Sequence, residues 1–198
     1  MAADVKGLYL NPPTHTVVFC VDEKTAIQAL DRKDWMLPSS PGRAESYGFE
    51  YKPNGTLSQF AALNTATGEV ISKTAPRHTS EQFVAFLTDV IASQRPKQEI
   101  HVICDNVSSR KTGRVQEFPQ QHRNVRLHYT PTYTSWLNQV EKCFARIQRD
   151  VITRGIFPTV KDLDRKLMRY IRENNKNPKL IKWKYNVPSR RIRPVPFH

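Results

Sequence analysis

Two kinds of apolar pattern run along the 198 residues. Continuous β-branched and aromatic runs mark buried strands. One is Thr16-Val17-Val18-Phe19-Cys20-Val21, expected to end at Asp22-Glu23-Lys24; another is Ile100-His101-Val102-Ile103-Cys104, ending at Asp105-Asn106. Between them, residues 31–43 are polar and rich in Pro, Ser and Gly, and read as a loop. Residues 47–51 read as a short strand, Pro53-Asn54-Gly55-Thr56 as a hairpin turn, and residues 57–63 as the returning strand. Thr65-Ala66-Thr67-Gly68-Glu69 is a second turn, leading into Val70-Ile71-Ser72. This half of the chain predicts an antiparallel meander.

Helical spacing begins after Arg77-His78. Thr79 with Gln82 has the form of a capping box, and Phe83, Phe86, Leu87, Val90 and Ile91 recur every three or four residues before Pro96. A polar, partly helical stretch follows Asp105-Asn106 as far as Gln121. Val125-Arg126-Leu127-His128-Tyr129 reads as a further strand, closed by Pro131. A helix is predicted over residues 135–153, with Leu137, Val140, Phe144, Ile147 and Val151 on one face; Gly155 and Pro158 end it. Thr159 and Asp162 signal the start of a last helix, whose inner face is Val160, Leu163, Leu167 and Ile171. The order is three strands, helix, strand, helix, strand, helix, helix. That order predicts an α/β domain, a ribonuclease-H-like mixed five-stranded sheet with helices on both faces. Residues 1–176 are expected to form this domain and residues 177–198 a basic, Pro-rich tail.

Composition narrows the class. No run of about 18 apolar residues exists, so no membrane span or membrane partner is expected. The N-terminal residues lack the build of a signal peptide, which predicts a cytoplasmic, nucleoid-associated protein. Cys20, Cys104 and Cys143 have no CxxC spacing and are expected to be small buried hydrophobes. The net charge is +13 and lopsided: residues 1–122 carry 13 basic and 13 acidic side chains, residues 123–198 carry 18 and 5. The excess on the C-terminal part points to a polyanion, nucleic acid before a solvated surface.

Asp22 and Asp105 follow buried strands that would be parallel neighbours, so both carboxylates would emerge at one sheet edge. Glu141 lies at the border of the apolar stripe of its helix, about 40° from Leu137, and can face the same edge. Singly, each acid has an ordinary reading as a loop cap, a helix cap or a surface ion pair. Together they offer what hard divalent cations take, oxygen ligands beside substrate phosphates. Lys142, Arg146 and Arg149 share one side of the Glu141 helix and could grip phosphates.

The flanking residues resemble DDE transposases, in particular the bacterial insertion-sequence branch of the mariner superfamily. The residues that carry the likeness are Val21-Asp22-Glu23-Lys24-Thr25, the stretch on to Arg32, Cys104-Asp105-Asn106, and Ser135-Trp136-Leu137-Asn138-Gln139-Val140-Glu141. Asn54-Gly55-Thr56 before Phe60-Ala61-Ala62-Leu63, and Arg77-His78-Thr79-Ser80 before Phe83, fit as well. Between Asp105 and Glu141 lie 35 residues, a spacing also seen in retroviral integrases. The resemblance covers residues 15–175. It implies two Mg²⁺ or Mn²⁺ ions held by Asp22, Asp105 and Glu141, hydrolytic nicking at transposon ends, and attack of the freed 3′-OH on target DNA. It implies that Asn138 and Asn106 support the ligands or touch DNA, with core packing expected for Trp136. It also implies a homodimer joining two ends, and end recognition by a separate domain or protein, because the catalytic strand begins near Thr16. Two alternatives stay open at this point. One is a ribonuclease H or junction resolvase of the same fold, with Glu81 or Asp89 as a further carboxylate; the other is a non-catalytic DNA-binding protein derived from a transposase.

Overall fold

The computed structural model describes residues 2–32, 51–105, 112–131 and 134–181. The elements in order are α1 (Ala2–Leu10), β1 (Thr16–Arg32), β2 (Tyr51–Asn64), β3 (Val70–Ala75), α2 (Ser80–Ala92), β4 (Glu99–Cys104), α3 (Gly113–Gln121), β5 (Val125–Tyr129), a 3-10 turn (Ser135–Leu137), α4 (Val140–Ile147), a π-helical turn (Gln148–Ile152) and α5 (Val160–Lys176). The five strands form one sheet in the order β3-β2-β1-β4-β5. β1, β2 and β3 pair antiparallel, and β4 and β5 run parallel to β1. This is the mixed ribonuclease-H-like architecture expected from the pattern.

Strand alternation divides the core into two layers. Val18, Cys20 and Ile103 face α1, α4 and α5, where Val140, Phe144, Leu163 and Leu167 pack on them. Phe19, Val21 and Val102 face the opposite layer of Phe83, Phe86 and Leu87 from α2 and Phe118 from α3. All three cysteines are buried among these side chains. Asp22 continues the alternation of Val18 and Cys20, and Asp105 that of Ile103. Both therefore point to the α4 side of the sheet.

Several elements depart from the pattern reading. β1 does not end at Asp22 but runs on to Arg32, paired only with β2 beyond Val21. A bulge between Lys24 and Ile27, with Ala26 at φ 51°, reverses the alternation, so Ile27 and Ala29 face the α4–α5 layer. The polar run at Asp22 looks like a strand end because the bulge and the charged residues Asp22, Glu23 and Lys24 interrupt the apolar alternation there. Asp31 and Arg32, read as loop, belong to β1; residues 33–43 lie outside the described residues. Pro53-Asn54-Gly55-Thr56 is not a hairpin turn. It lies inside β2, where Gly55 at φ 108° supplies a second bulge opposite Gln28 and Leu30. Residues 47–50 lie outside the described residues.

The helix predicted over residues 135–153 is divided. A 3-10 turn, a break at Asn138-Gln139, α4 and a π-helical turn replace it. α1 was not legible in the sequence; Val5 and Leu8 bury it against the core. The caps of the other helices follow expectation. Thr79 Oγ1 accepts from the Gln82 amide, and Thr159 Oγ1 from the Asp162 amide. The reciprocal half of the first box is missing, since Gln82 Oε1 has no hydrogen-bond partner. No helix among the described residues is long and apolar enough to cross a membrane.

Candidate metal centre

The parallel ladder of β1 and β4 ends with Val21 opposite Cys104. Asp22 and Asp105 are the next residues on each, so the register sets the two carboxylates side by side. α4 crosses this end of the sheet with Val140 and Phe144 in the core, and Glu141 in its first turn meets the aspartates. Carboxylate oxygens of Asp22, Asp105 and Glu141 all lie within 4.8 Å of one another. Among the described residues no other group of three acidic, His or Cys side chains gathers in this way.

The local hydrogen bonds hold the two aspartates at defined rotamers. The Glu23 amide donates to Asp22 Oδ1 at 2.8 Å, and Asp22 is only 6% exposed. Asp105 Oδ1 accepts from Thr130 Oγ1 at 3.1 Å and from Asn138 Nδ2 at 3.4 Å. Asn138 Nδ2 also donates to the Val21 carbonyl at 3.1 Å. Thr130 was missed in the sequence, although the register makes it findable: it follows Tyr129, the partner of Cys104. Tyr9 was missed with α1. Its hydroxyl donates to the Leu137 carbonyl at 2.7 Å and lies 2.9 Å from Cys20 Sγ. That contact pins the 3-10 turn that precedes Asn138.

Electrostatics test whether a cation fits. Partial burial, the charges of Asp22 and Asp105, and a hydrogen bond to Asp22 push the Glu141 carboxyl up to about 7; Lys24 works weakly against them. Three carboxylates gathered this closely repel one another, and a divalent ion replaces that repulsion with attraction. The donor set is all oxygen, with no imidazole or thiolate, as Mg²⁺ and Mn²⁺ prefer.

The remaining expected site residues are placed unevenly. Asn138 is 1% exposed, so it braces the ligands and cannot touch DNA directly. Lys142 is exposed and Arg146 half-buried on α4. Arg149 is exposed but committed: its Nε and Nη2 donate to the Asp150 carboxylate at 2.6 and 3.1 Å, and hold that acid down to about 2. Asn106 lies outside the described residues. Trp136 does not pack in the core; it is 58% exposed on the 3-10 turn that precedes Asn138. A further carboxylate of the ribonuclease H kind is missing from α2. That helix packs on the opposite face of the sheet, with Glu81 paired to Arg114 and Asp89 to Lys73.

Known proteins are similar to this chain in sequence and fold. Residues 17–164 match the family model of the DDE superfamily endonuclease. A relative, the insertion element IS630 uncharacterized 39 kDa protein of Shigella sonnei, is 28% identical over 122 residues, covering 62% of this chain and 34% of its own length. The chain thus spans about a third of that relative. Two solved structures share the fold. The Mos1 transposase paired-end complex with left transposon end superposes with a TM-score of 0.59 at 14% identity, over 88% of this chain and 56% of that one. The Mos1 mariner paired end complex with Mn gives 0.61 at 12% identity, over 86% and 52%.

Proposed function

The chain belongs to the DDE superfamily of endonucleases, and from that premise we propose that it is the catalytic domain of a DNA transposase of the insertion-sequence type. It hydrolyses phosphodiester bonds at transposon ends and transfers the resulting 3′-OH to target DNA. The observation that carries this reading is the meeting of Asp22, Asp105 and Glu141 within 4.8 Å at one end of the sheet.

In this reading the three carboxylates hold divalent cations, two of Mg²⁺ or Mn²⁺. Bound there, the metal supplies Lewis-acid activation of the attacking oxygen and charge neutralisation at the leaving oxygen. The chain's own contribution is placement. The parallel register presents Asp22 and Asp105 together, Asn138 and Thr130 orient Asp105, and the first turn of α4 delivers Glu141. Lys142 and Arg146 offer positive charge on the same helix for the flanking phosphates.

The partners follow from the same reading. The Mos1 structures are paired-end complexes, one with a transposon end and one with Mn. They support transposon DNA and a divalent metal as partners here, and a homodimer that joins two ends. Residues 1–176 act as the catalytic domain and residues 177–198 as a basic tail, in a cytoplasmic, nucleoid-associated protein.

The test is strand cleavage of a duplex carrying the element's end, with Mn²⁺. Asp105→Ala and Glu141→Ala are expected to lose cleavage by more than about a hundredfold, the scale of several kcal/mol of lost transition-state stabilisation, while salt-sensitive DNA binding persists. Undiminished cleavage in either variant sinks the assignment.

A further inference from the structure

α5 carries a second basic surface that the carboxylate site does not use. Taking Arg165 as zero, Lys161, Arg165, Arg169, Arg172 and Lys176 fall within about 80° of arc at 100° per residue, along about 22 Å of helix. The buried residues Leu163, Leu167 and Ile171 centre on the opposite side, at about 200°. The stripe therefore points straight away from the sheet.

Its charges are not equally available. Asp162 holds Arg165 and Lys166, and Glu173 holds Lys176. Arg169 and Arg172, in the middle, form no ion pair among the described residues, and both are exposed. Both feel the charge of Glu173, but that carboxylate is paired with Lys176, so the two guanidiniums keep their forks open to an anion from outside. Guanidinium forks match phosphate oxygens.

The stripe is also connected to the carboxylate site. The Tyr170 hydroxyl donates to Asp150 Oδ2 at 2.8 Å, joining α5 to the π-helical turn that continues the helix bearing Glu141. Glu141 and Asp150 are nine residues apart, about 14 Å of helix rise. Crossing to a packed neighbouring helix adds about 10 Å. Rise and crossing are perpendicular, so together they reach about 17 Å, about five base pairs of duplex at 3.4 Å each.

We propose that the outward face of α5, centred on Arg169 and Arg172, grips the phosphate backbone of the duplex whose scissile bond lies at the carboxylates, about five base pairs from that bond. The proposal rests on the reading of DNA as the substrate. The contact is independent of sequence and lengthens the footprint of a small catalytic domain.

The test compares binding of the full chain to a 30-base-pair and an 8-base-pair duplex centred on the cleavage site, with Ca²⁺, between 50 and 200 mM NaCl. The variants are Arg169→Glu/Arg172→Glu and, as a control of equal net charge, Arg95→Glu/Lys97→Glu on the α2–β4 turn. Loss of two phosphate contacts lowers the slope of log K against log salt by about 1.8. The first variant is expected to show that loss, and at least tenfold weaker binding, on the long duplex alone; the control stays near wild type, with both melting curves unchanged. Equal weakening by the control, equal weakening on the short duplex, an unchanged slope, or binding of the stripe to anionic lipid vesicles in preference to DNA overturns the proposal. Cleavage is the separate readout. A chain that binds the long duplex through α5 but cuts neither duplex sustains this proposal and removes the catalytic one. A chain that cuts while the α5 variant binds like wild type does the reverse.

Discussion

A single amide nitrogen, Asn138 Nδ2, joins the two strands that carry the aspartates: it donates to the Val21 carbonyl and to the Asp105 carboxylate. The two acceptors belong to neighbouring parallel strands, and the donor comes from the break before α4. Asn138 thus ties the end of β1 to the Asp105 carboxylate. Asn138→Ala is expected to cost about 1–3 kcal/mol of stability, because the partners are buried. Asn138→Asp adds a fourth negative charge beside Asp105 and should be worse. Thermal melting, with Mn²⁺ affinity and cleavage measured separately, checks this. Melting and cleavage both unchanged in Asn138→Ala would remove its bracing role.

The raised Glu141 carboxyl makes the metal-free protein sensitive to pH. Its folded value near 7 lies above the unfolded value of 4.5, so the folded state binds the proton more tightly in that window. This group's contribution to stability is full below about pH 4.5 and is lost as pH rises through about 7. Glu141→Gln should flatten that part of the stability–pH curve. Divalent binding has the opposite dependence, weakening as pH falls through about 7, because proton and cation compete for the same oxygens. Melting with and without Mn²⁺ from pH 5 to 8 tests both directions; at a hundredfold excess over Kd the ion adds about 2.7 kcal/mol.

Tyr9→Phe removes the hydroxyl that holds the Leu137 carbonyl while keeping the ring. The expected loss is about 1 kcal/mol. Because Leu137 adjoins Asn138, cleavage should fall more than the melting temperature alone accounts for. Equal, small losses in both would reduce Tyr9 to packing.

Gly155 ends the π-helical turn where no side chain fits. A Cβ there would lie 2.0 Å from the Phe157 ring and 2.4 Å from the Val151 carbonyl oxygen. Phe157 is fully buried, and its amide donates to the Leu30 carbonyl of β1 at 2.8 Å. Gly155→Ala is expected to destabilise by at least about 1–3 kcal/mol through overpacking. Urea denaturation measures it.

Trp136→Ala should behave in the opposite way. The indole is 58% exposed, so stability should change by less than about 0.5 kcal/mol. A loss as large as that of a core aromatic would contradict its exposure.

The linear chain determined a good part of this. Runs such as residues 16–21 and 100–104 must be buried on both faces, and 3–4-residue spacing in α2 and α5 leaves one apolar side; these follow from periodicity and transfer energy alone. The acids were legible because charge placed directly after such runs conflicts with burial unless something compensates it. What tertiary structure alone decided concerns pairing. Pro53-Asn54-Gly55-Thr56 has the chemistry of a turn, yet it forms a bulge because β1 extends past Asp22 and offers β2 a partner along its length. The helix at residues 135–153 breaks because Asn138 is claimed by Val21 and Asp105, residues distant in sequence. Trp136 lies outside where core packing was expected, and Tyr9, for which the pattern gave no reading, is tied to the core, because exposure depends on which elements cover a position. Local pattern fixes which faces are apolar; only register and packing decide which side chains share a site.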